Sequence, residues 1–169
     1  MTVEILTEYF TKYGAVAIFV IVFLEYMNLP GFPAGVIMPL AGIWAAKGNI
    51  HFIPALLITV AAGLAGSLLL YAMGYAGGEL FLQKYLNKFP KQRRVIEEKL
   101  NWVRKKGSMG IFCSKLIPMI RTLISIPAGV SKMHLLPYIV SSTLGIFVWN
   151  LVFVGAGYFC GEAVFRYLG

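Results

Sequence analysis

Three charged side chains, Glu25, Lys115 and Arg121, lie inside stretches of the sequence that are otherwise apolar. A charge at the centre of a membrane helix costs about 2.5–3.5 kcal/mol, so the three would cost on the order of 8–10 kcal/mol if they were unpaired. Arginine presents a planar fork of donors that suits carboxylate or phosphate, and a lysine six residues earlier adds a second cation. We therefore predict a polar cavity that holds all three residues and, with their net charge of +1, accepts one anionic head group.

The same charges allow an alternative interpretation, in which Glu25 and Arg121 form an internal ion pair and Lys115 extends to the membrane interface. Both interpretations hold together if the ion pair is the resting state. Three polar residues, Asn28, Ser67 and Asn150, are candidates to line the cavity, or else form helix–helix hydrogen bonds.

Little else in the sequence indicates chemistry. All seven acidic residues are glutamate, and neither a nucleophile–base pair nor a metal-ligand set is visible. The two histidines, His51 and His134, follow the two broken segments defined below and are expected at the membrane interface. We predict no enzyme, no metal and no cofactor.

Composition places the chain in a membrane. Of 169 residues, 59% are apolar and 13% are charged, and the mean hydropathy is +0.76. A soluble domain is about 25% charged, so these charges cannot cover a water-exposed surface. We predict one integral, all-α membrane domain over residues 1–169, with no cleaved targeting segment because Glu4 and Glu8 stand where a signal peptide carries positive charge.

Two apolar segments are interrupted by helix breakers. Pro30 and Pro33 interrupt the first broken segment (residues 14–46), and Pro118 and Pro127 interrupt the second (residues 108–130). The uninterrupted runs are shorter than the roughly 20 residues that a spanning helix needs, so each segment is predicted to form a re-entrant hairpin. Each is followed by an uncharged stretch long enough to span, at residues 52–73 and 137–159.

The two halves of the chain resemble each other at an offset of 83 residues. Matching pairs are Pro54 with Pro137, Gly74 with Gly157 and Glu79 with Glu162, and a four-residue gap also matches Gly42 with Gly129. This defines repeat A (residues 14–79) and repeat B (residues 108–162). Because each repeat crosses the membrane once, the second is predicted to be inverted, an architecture typical of secondary transporters.

A basic linker (residues 80–107) joins the repeats. Residues 84–106 contain nine Lys or Arg and two Glu, while Val95, Ile96, Leu100 and Val103 share one helical face. Between two membrane segments this pattern predicts an amphipathic helix on the cytoplasmic surface and not a nucleic-acid site, with both termini outside.

Specific stretches resemble the DedA family, related to the SNARE-associated Golgi or VTT-domain proteins. They are FLEYMNLPGFPAGVIMPLAG, the small-residue span ending in Tyr71 and Gly74, and SKLIPMIRTLISIPAGVSKM followed by a span with Trp149. The resemblance covers about residues 14–162. It implies re-entrant hairpins in an inverted repeat and transport of lipids across a bacterial cytoplasmic membrane.

The resemblance also assigns residues. Glu25 corresponds to the family's acid after the first apolar run, Arg121 to the arginine before a threonine, and Lys115 stands where many members have a second arginine. Gly35 replaces a second acid, on which proton coupling in the family is thought to depend.

The leading hypothesis is a flippase for a phosphate-bearing lipid, foremost undecaprenyl phosphate in carrier recycling, with Arg121 and Lys115 binding the phosphate. Alternatives are a phosphatidylethanolamine flippase or scramblase, a proton-coupled transporter of small cations that depends on Glu25, and a scaffold. The small-residue faces of the spans would also allow a homodimer.

Overall fold

The computed structural model describes residues 3–27, 36–48, 50–88, 90, 93–118 and 120–168, and these contain helices and turns but no strand. Seven helices follow one another along the chain: α1 (Val3–Tyr26), α2 (Ile37–Lys47), α3 (Phe52–Lys88), α4 (Arg93–Lys115), α5 (Ile120–Leu123), α6 (Ser125–Val130) and α7 (Leu135–Leu168). The all-α class predicted from the sequence is confirmed.

Two of these helices are long and apolar enough to cross a membrane. The apolar stretches are Phe52–Gly77 in α3 and Leu135–Gly161 in α7, of 26 and 27 residues. At 1.5 Å per residue each is about 39–40 Å long, more than the roughly 30 Å of a hydrocarbon core. Both contain the spans expected from the sequence. Three other apolar helical stretches are shorter, at Gly14–Tyr26, Ile37–Lys47 and Ile120–Val130.

Prolines mark where four of the helices begin. Pro39, Pro54, Pro127 and Pro137 are each the third residue of a helix, in α2, α3, α6 and α7 respectively. The first turn of a helix leaves its N–H groups without intrahelical partners, so a residue that lacks the N–H costs nothing there. Each of these prolines is therefore compatible with the first turn of its own helix and prevents an earlier helix from continuing through that position.

The basic linker differs from the single amphipathic helix expected at residues 84–106. Its first residues continue α3 as far as Lys88, and a second helix begins at Arg93. Pro90 separates the two, because it has no N–H to continue the hydrogen bonds of α3. The side chains of the predicted apolar face, Val95, Ile96, Leu100 and Val103, are outside the described part of the structure, so this face stays a prediction.

A kink at Gly107 separates the basic part of α4 from the part that enters the second broken segment. Gly107 has φ 52° and ψ −129°, a backbone conformation that is essentially restricted to glycine. The first broken segment has no such kink on entry, because α1 is continuous from Val3 to Tyr26. Residues 3–12 are thus the beginning of the helix that continues into the first broken segment.

The chain forms two compact units, which are described separately. Unit 1 comprises residues 1–63 and 147–169, and unit 2 comprises residues 64–146. Helices α3 and α7 each contribute to both, since α3 passes from unit 1 into unit 2 and α7 from unit 2 into unit 1.

Glycines bring a short helix against a long one in each unit. In unit 1, a Cβ on Gly42 of α2 would collide with the carbonyl of Val154, and one on Gly157 of α7 would collide with the carbonyl of Pro39. Glycine is required at both positions, because the two backbones are in direct contact.

Unit 2 has the same crossing. A Cβ on Gly129 of α6 would collide with the carbonyl of Tyr71, and one on Gly74 of α3 would collide with that of Ile126. Tyr71 and Val154 are 83 residues apart, as are Gly74 and Gly157, so equivalent positions of the two long helices make equivalent contacts.

The turns that follow α2 and α6 also match at this offset. Ile50 N–H donates to the carbonyl of Ala45 at 2.9 Å, and Met133 N–H donates to that of Ala128 at 3.2 Å. The carbonyls of His51 and His134 accept the first hydrogen bonds of α3 and α7, and both histidine side chains are exposed.

Candidate functional site

The break in the second broken segment positions two cations inside unit 2. Helix α4 ends at Lys115, and the chain closes a tight turn in which Leu116 N–H donates to Cys113 O and Ile117 N–H to Ser114 O, both at 3.2 Å. Pro118 prevents α4 from continuing, because its ring would clash with the carbonyl four residues earlier. The chain then resumes as α5, and residues 121–129 are all buried.

Pro127 has the same effect one step later. Its ring would clash with the carbonyl of Leu123, the last residue of α5. The helical hydrogen bonds are therefore interrupted between α5 and α6, although Ile124 keeps helical backbone angles of φ −60° and ψ −23°. Arg121 therefore lies on a helix of four residues between two proline-determined ends. Polar backbone and a charged side chain are together at a buried point of this unit.

Lys115 is 1% exposed and is held by hydroxyl groups from two other helices. Its Nζ donates to Ser67 Oγ of α3 at 2.8 Å and to Ser125 Oγ of α6 at 3.1 Å. The start of its side chain packs against Gly145 of α7, where a Cβ would lie 2.5 Å from Lys115 Cβ. The aliphatic part of the Lys115 side chain thus packs where Gly145 has no side chain, and the two hydrogen bonds fix the amine at its end.

A pair of stacked tyrosines, Tyr71 and Tyr138, holds the backbone of Ser67 in place. Tyr138 of α7 donates from its hydroxyl to the carbonyl of Ser67 at 3.0 Å, and its ring stacks on Tyr71 with centroids 4.5 Å apart. Tyr71 in turn donates to the carbonyl of Met133. With Ile111, Ile124 and Ala128 these two tyrosines form the core of unit 2.

Arg121 is completely buried and lies within electrostatic range of Lys115. The neighbouring buried residues are rich in hydroxyls; Ser114, Thr122 and Ser125 are each at most 2% exposed. Ser114 Oγ has no hydrogen-bond partner among the described residues. The sequence has no acidic residue between Glu98 and Glu162, so this region offers donors and positive charge to an anion.

Unit 1 holds the third charged residue of the prediction. Glu25 is 2% exposed at the end of α1, next to Tyr26, which is fully buried. Tyr26 donates from its hydroxyl to Asn150 Oδ1 of α7 at 3.1 Å. Three residues predicted to belong here, Asn28, Pro30 and Pro33, lie outside the described residues, as does Gly35.

The structure therefore brings Lys115, Arg121 and Ser67 together in unit 2 and places Glu25 and Asn150 in unit 1. Ser125 and Tyr138 were not among the site residues predicted from the sequence. Ser125 is four residues after Arg121, one helical turn, and that spacing was a usable signal. Tyr138 had none, because its role depends on how α3 and α7 pack. Within the described ranges, no group of three or more His, Cys, Asp or Glu side chains could hold a metal ion.

Sequence comparison decides the family. The profile of the VTT domain matches residues 32–159, which include both buried cations, all of α3 and most of α7. The chain belongs to the VTT domain family. The DedA resemblance of the sequence is thereby confirmed, and the chain is a membrane protein of this family.

Relatives in the VTT domain family carry informative names. An undecaprenyl phosphate transporter A from Staphylococcus aureus is 30% identical over 151 residues, covering 87% of this chain and 74% of the relative. Its namesake in Bacillus subtilis is 32% identical over 154 residues, or 91% and 75% of the two chains. An alkaline phosphatase-like protein from Lactococcus lactis strain IL1403 is 29% identical over 164 residues, or 94% and 76%. No solved structure matches.

Proposed function

We propose that this VTT-domain protein is a flippase for a phosphate-bearing membrane lipid, foremost undecaprenyl phosphate. The observation that carries the proposal is the pair of buried cations, Lys115 and Arg121, among serine and threonine hydroxyls. The two relatives named undecaprenyl phosphate transporter A support the choice of lipid. In this proposal Glu25 competes with the phosphate for Arg121 and so promotes its release.

Charge and hydrogen-bonding capacity suit a phosphate head group. A phosphate monoester carries about −1.5 to −2 charges at pH 7 and presents three strong acceptor oxygens. The guanidinium of Arg121 can pair with two of these oxygens, and Lys115 adds a point charge. The prenyl or acyl tail stays in hydrocarbon throughout, so only the head group needs the polar site.

We also propose that both broken segments are re-entrant and that the repeats are inverted. The apolar helical stretches Gly14–Tyr26, Ile37–Lys47 and Ile120–Val130 are 11–13 residues long, the first being the apolar part of α1. At 1.5 Å per residue, each reaches only about 16–20 Å of the roughly 30 Å of hydrocarbon. The matching glycine contacts of Gly42 and Gly129 support the repeat. In this topology the basic linker is cytoplasmic and both termini are outside.

Transport in proteoliposomes tests the proposal. Purified protein is reconstituted with fluorescently labelled undecaprenyl phosphate, and the accessible fraction of label is followed after adding a membrane-impermeant quencher. We expect transport by the wild type and loss of transport in Arg121→Ala and Lys115→Ala. Lys105→Ala removes an exposed lysine of the basic linker and serves as the matched control.

The same assay separates the competing activities. Labelled phosphatidylethanolamine in parallel vesicles measures phospholipid scrambling, and free phosphate in the medium measures hydrolysis, the activity suggested by the name of the Lactococcus relative. Undecaprenyl phosphate transport that persists unchanged in Arg121→Ala would overturn the site. Phosphate release that accounts for the lost label would replace the flippase by a phosphatase.

A further inference from the structure

The amine of Lys115 is buried and bonded to neutral hydroxyls, and a role in binding an anion does not by itself explain these partners. Among the side chains that the structure describes in unit 2, those buried and ordinarily charged at neutral pH are Lys115 and Arg121, and both are cations. Lys115 faces a second cation, Arg121, and its two hydrogen-bond partners are neutral hydroxyls. A fixed ammonium at this point would be desolvated beside a like charge.

Lysine and arginine differ in what they can do in such a place. Arginine keeps its proton at any pH a protein experiences, whereas a buried lysine readily becomes a neutral amine. A serine hydroxyl both donates and accepts, so Ser67 and Ser125 can pair with the amine in either protonation state. The two hydroxyls therefore hold Nζ in position without requiring that it be charged.

We propose that Lys115 is a proton-exchanging residue that moves one proton with each phosphate head group. In the resting state Nζ is a neutral amine between Ser67 and Ser125. When the phosphate enters beside Arg121, Nζ takes a proton from water on the entry side and becomes an ammonium. When the phosphate leaves, Nζ returns that proton to water on the exit side. This inference rests on the proposed function and names the residue that carries the proton.

None of the groups described around Lys115 in unit 2 is as well suited to exchanging a proton near neutral pH. Arg121 of α5 is permanently charged. Among the described residues of unit 2, the buried titratable side chains on α3 and α7 are Tyr71 and Tyr138, whose hydroxyls donate to the carbonyls of Met133 and Ser67. On α4 and α6 the polar neighbours are Ser114 and Ser125, which do not titrate in the physiological range.

The pH dependence of transport tests the proposal. Above the titration midpoint of Lys115, transport of undecaprenyl phosphate should fall about tenfold per pH unit, because one proton must be bound. Lys115→Arg keeps the charge but cannot release it, so its rate should vary by less than about twofold across the same range. Lys105→Arg, on the exposed linker, should keep the wild-type profile. Glu25→Gln should keep the tenfold slope.

Two results would overturn the proposal in this assay. One is a Lys115→Arg protein that transports lipid with the wild-type pH profile. The other is a slope that disappears in Glu25→Gln and remains in Lys115→Arg, which assigns the proton to the carboxylate.

A measurement of the protonation state in the wild-type protein makes the test independent of transport. Nitrogen NMR of ¹⁵N-lysine-labelled protein in nanodiscs distinguishes amine from ammonium, and Lys115 is assigned by the signal missing from Lys115→Arg. At pH 7.5 we expect a neutral amine in nanodiscs that contain no prenyl phosphate. After addition of a short-chain prenyl phosphate we expect an ammonium. An ammonium under both conditions would overturn the proposal. If Lys115 titrates as expected while Arg121→Ala still transports lipid, the proposed flippase site fails and the proton site stands.

Discussion

Units 1 and 2 have the same backbone crossing and different chemistry. In each, a short helix of a broken segment meets the second half of a long helix through glycines, Gly42 with Gly157 in unit 1 and Gly129 with Gly74 in unit 2. The buried charged residues differ: unit 2 contains Lys115, bonded to serine hydroxyls, and unit 1 contains Glu25, next to Tyr26 in the sequence. Backbone contact tolerates only glycine, so the framework is the same, whereas the polar positions have diverged.

The divergence is clearest at one pair of equivalent positions. Ser67 of α3 and Asn150 of α7 are 83 residues apart, and each is a buried polar residue that accepts a hydrogen bond from a broken segment. Ser67 accepts from the amine of Lys115 and Asn150 from the hydroxyl of Tyr26. One framework therefore holds a lysine amine in unit 2 and a tyrosine hydroxyl in unit 1. Equivalent substitutions in the two units should therefore have the same effect on stability and different effects on lipid binding.

The largest difference is expected between Arg121→Gln and Glu25→Gln. Removing charge-assisted hydrogen bonds of about 1.5–3 kcal/mol from the bound phosphate should weaken binding of undecaprenyl phosphate roughly 10- to 150-fold in Arg121→Gln. Glu25→Gln removes a competitor of the phosphate, so binding should be retained and turnover should slow. Equilibrium binding to nanodiscs and transport rates measure the two quantities. Equal loss of binding in both variants would remove the distinction between the units.

The shared crossing predicts matched losses of stability. Gly42→Ala and Gly129→Ala each force a Cβ against a backbone carbonyl and should cost about 1–3 kcal/mol in free energy of unfolding, measured by titration with denaturing detergent. Gly155→Ala is the control, because its Cβ would meet the ring of Phe52 at 3.7 Å, an ordinary contact. A loss confined to one unit would show that the crossings are not equivalent.

A pair of hydrogen-bond deletions should separate packing from chemistry. Ser125→Ala and Tyr26→Phe each remove one buried hydrogen bond, so each should lower stability by about 1 kcal/mol. Only Ser125→Ala changes the surroundings of Lys115, and it should weaken lipid binding by about three- to tenfold. The same detergent titration and nanodisc binding apply. Tyr26→Phe that weakens binding as much as Ser125→Ala would contradict the assignment of the phosphate to unit 2.

The smallest effect is expected at the kink that distinguishes entry into the two broken segments. A Cβ on Gly107 would meet no atom within 4 Å, so the cost of Gly107→Ala comes from backbone strain at φ 52°, about 1 kcal/mol. Transport should stay within about twofold of wild type, because the kink lies outside the site. Thermal unfolding followed by circular dichroism measures the change. Unchanged stability would mean that the kink is not maintained in the membrane.

Much of the fold follows from pattern in the sequence. Hydropathy alone located the long helices, and a proline in the first turn accounts for where α2, α3, α6 and α7 start. The separation of the basic segment at Pro90 was missed, because its charge and apolar face favoured one amphipathic helix. The continuity of α1 through residues 3–26 was missed for a similar reason, since polarity changes along a helix without ending it.

The candidate site was predictable in part. Charges in apolar sequence stand out by their cost, which identified Lys115 and Arg121 without any structure. Hydroxyls carry no such cost, and buried serines are common in membrane helices, so Ser125 and Tyr138 could be recognised only from the contacts they make with Lys115 and Ser67. Sequence pattern gives the charged members of a site more readily than the neutral residues that orient them.

The central claim, that unit 2 binds the lipid phosphate, is tested most directly by a high-resolution structure in nanodiscs containing undecaprenyl phosphate. The account predicts phosphate density within hydrogen-bond distance, about 2.7–3.2 Å, of the Arg121 guanidinium and the Lys115 amine. Density for the phosphate beside the basic linker or Glu25, with Arg121 and Lys115 making no contact to it, would contradict the account.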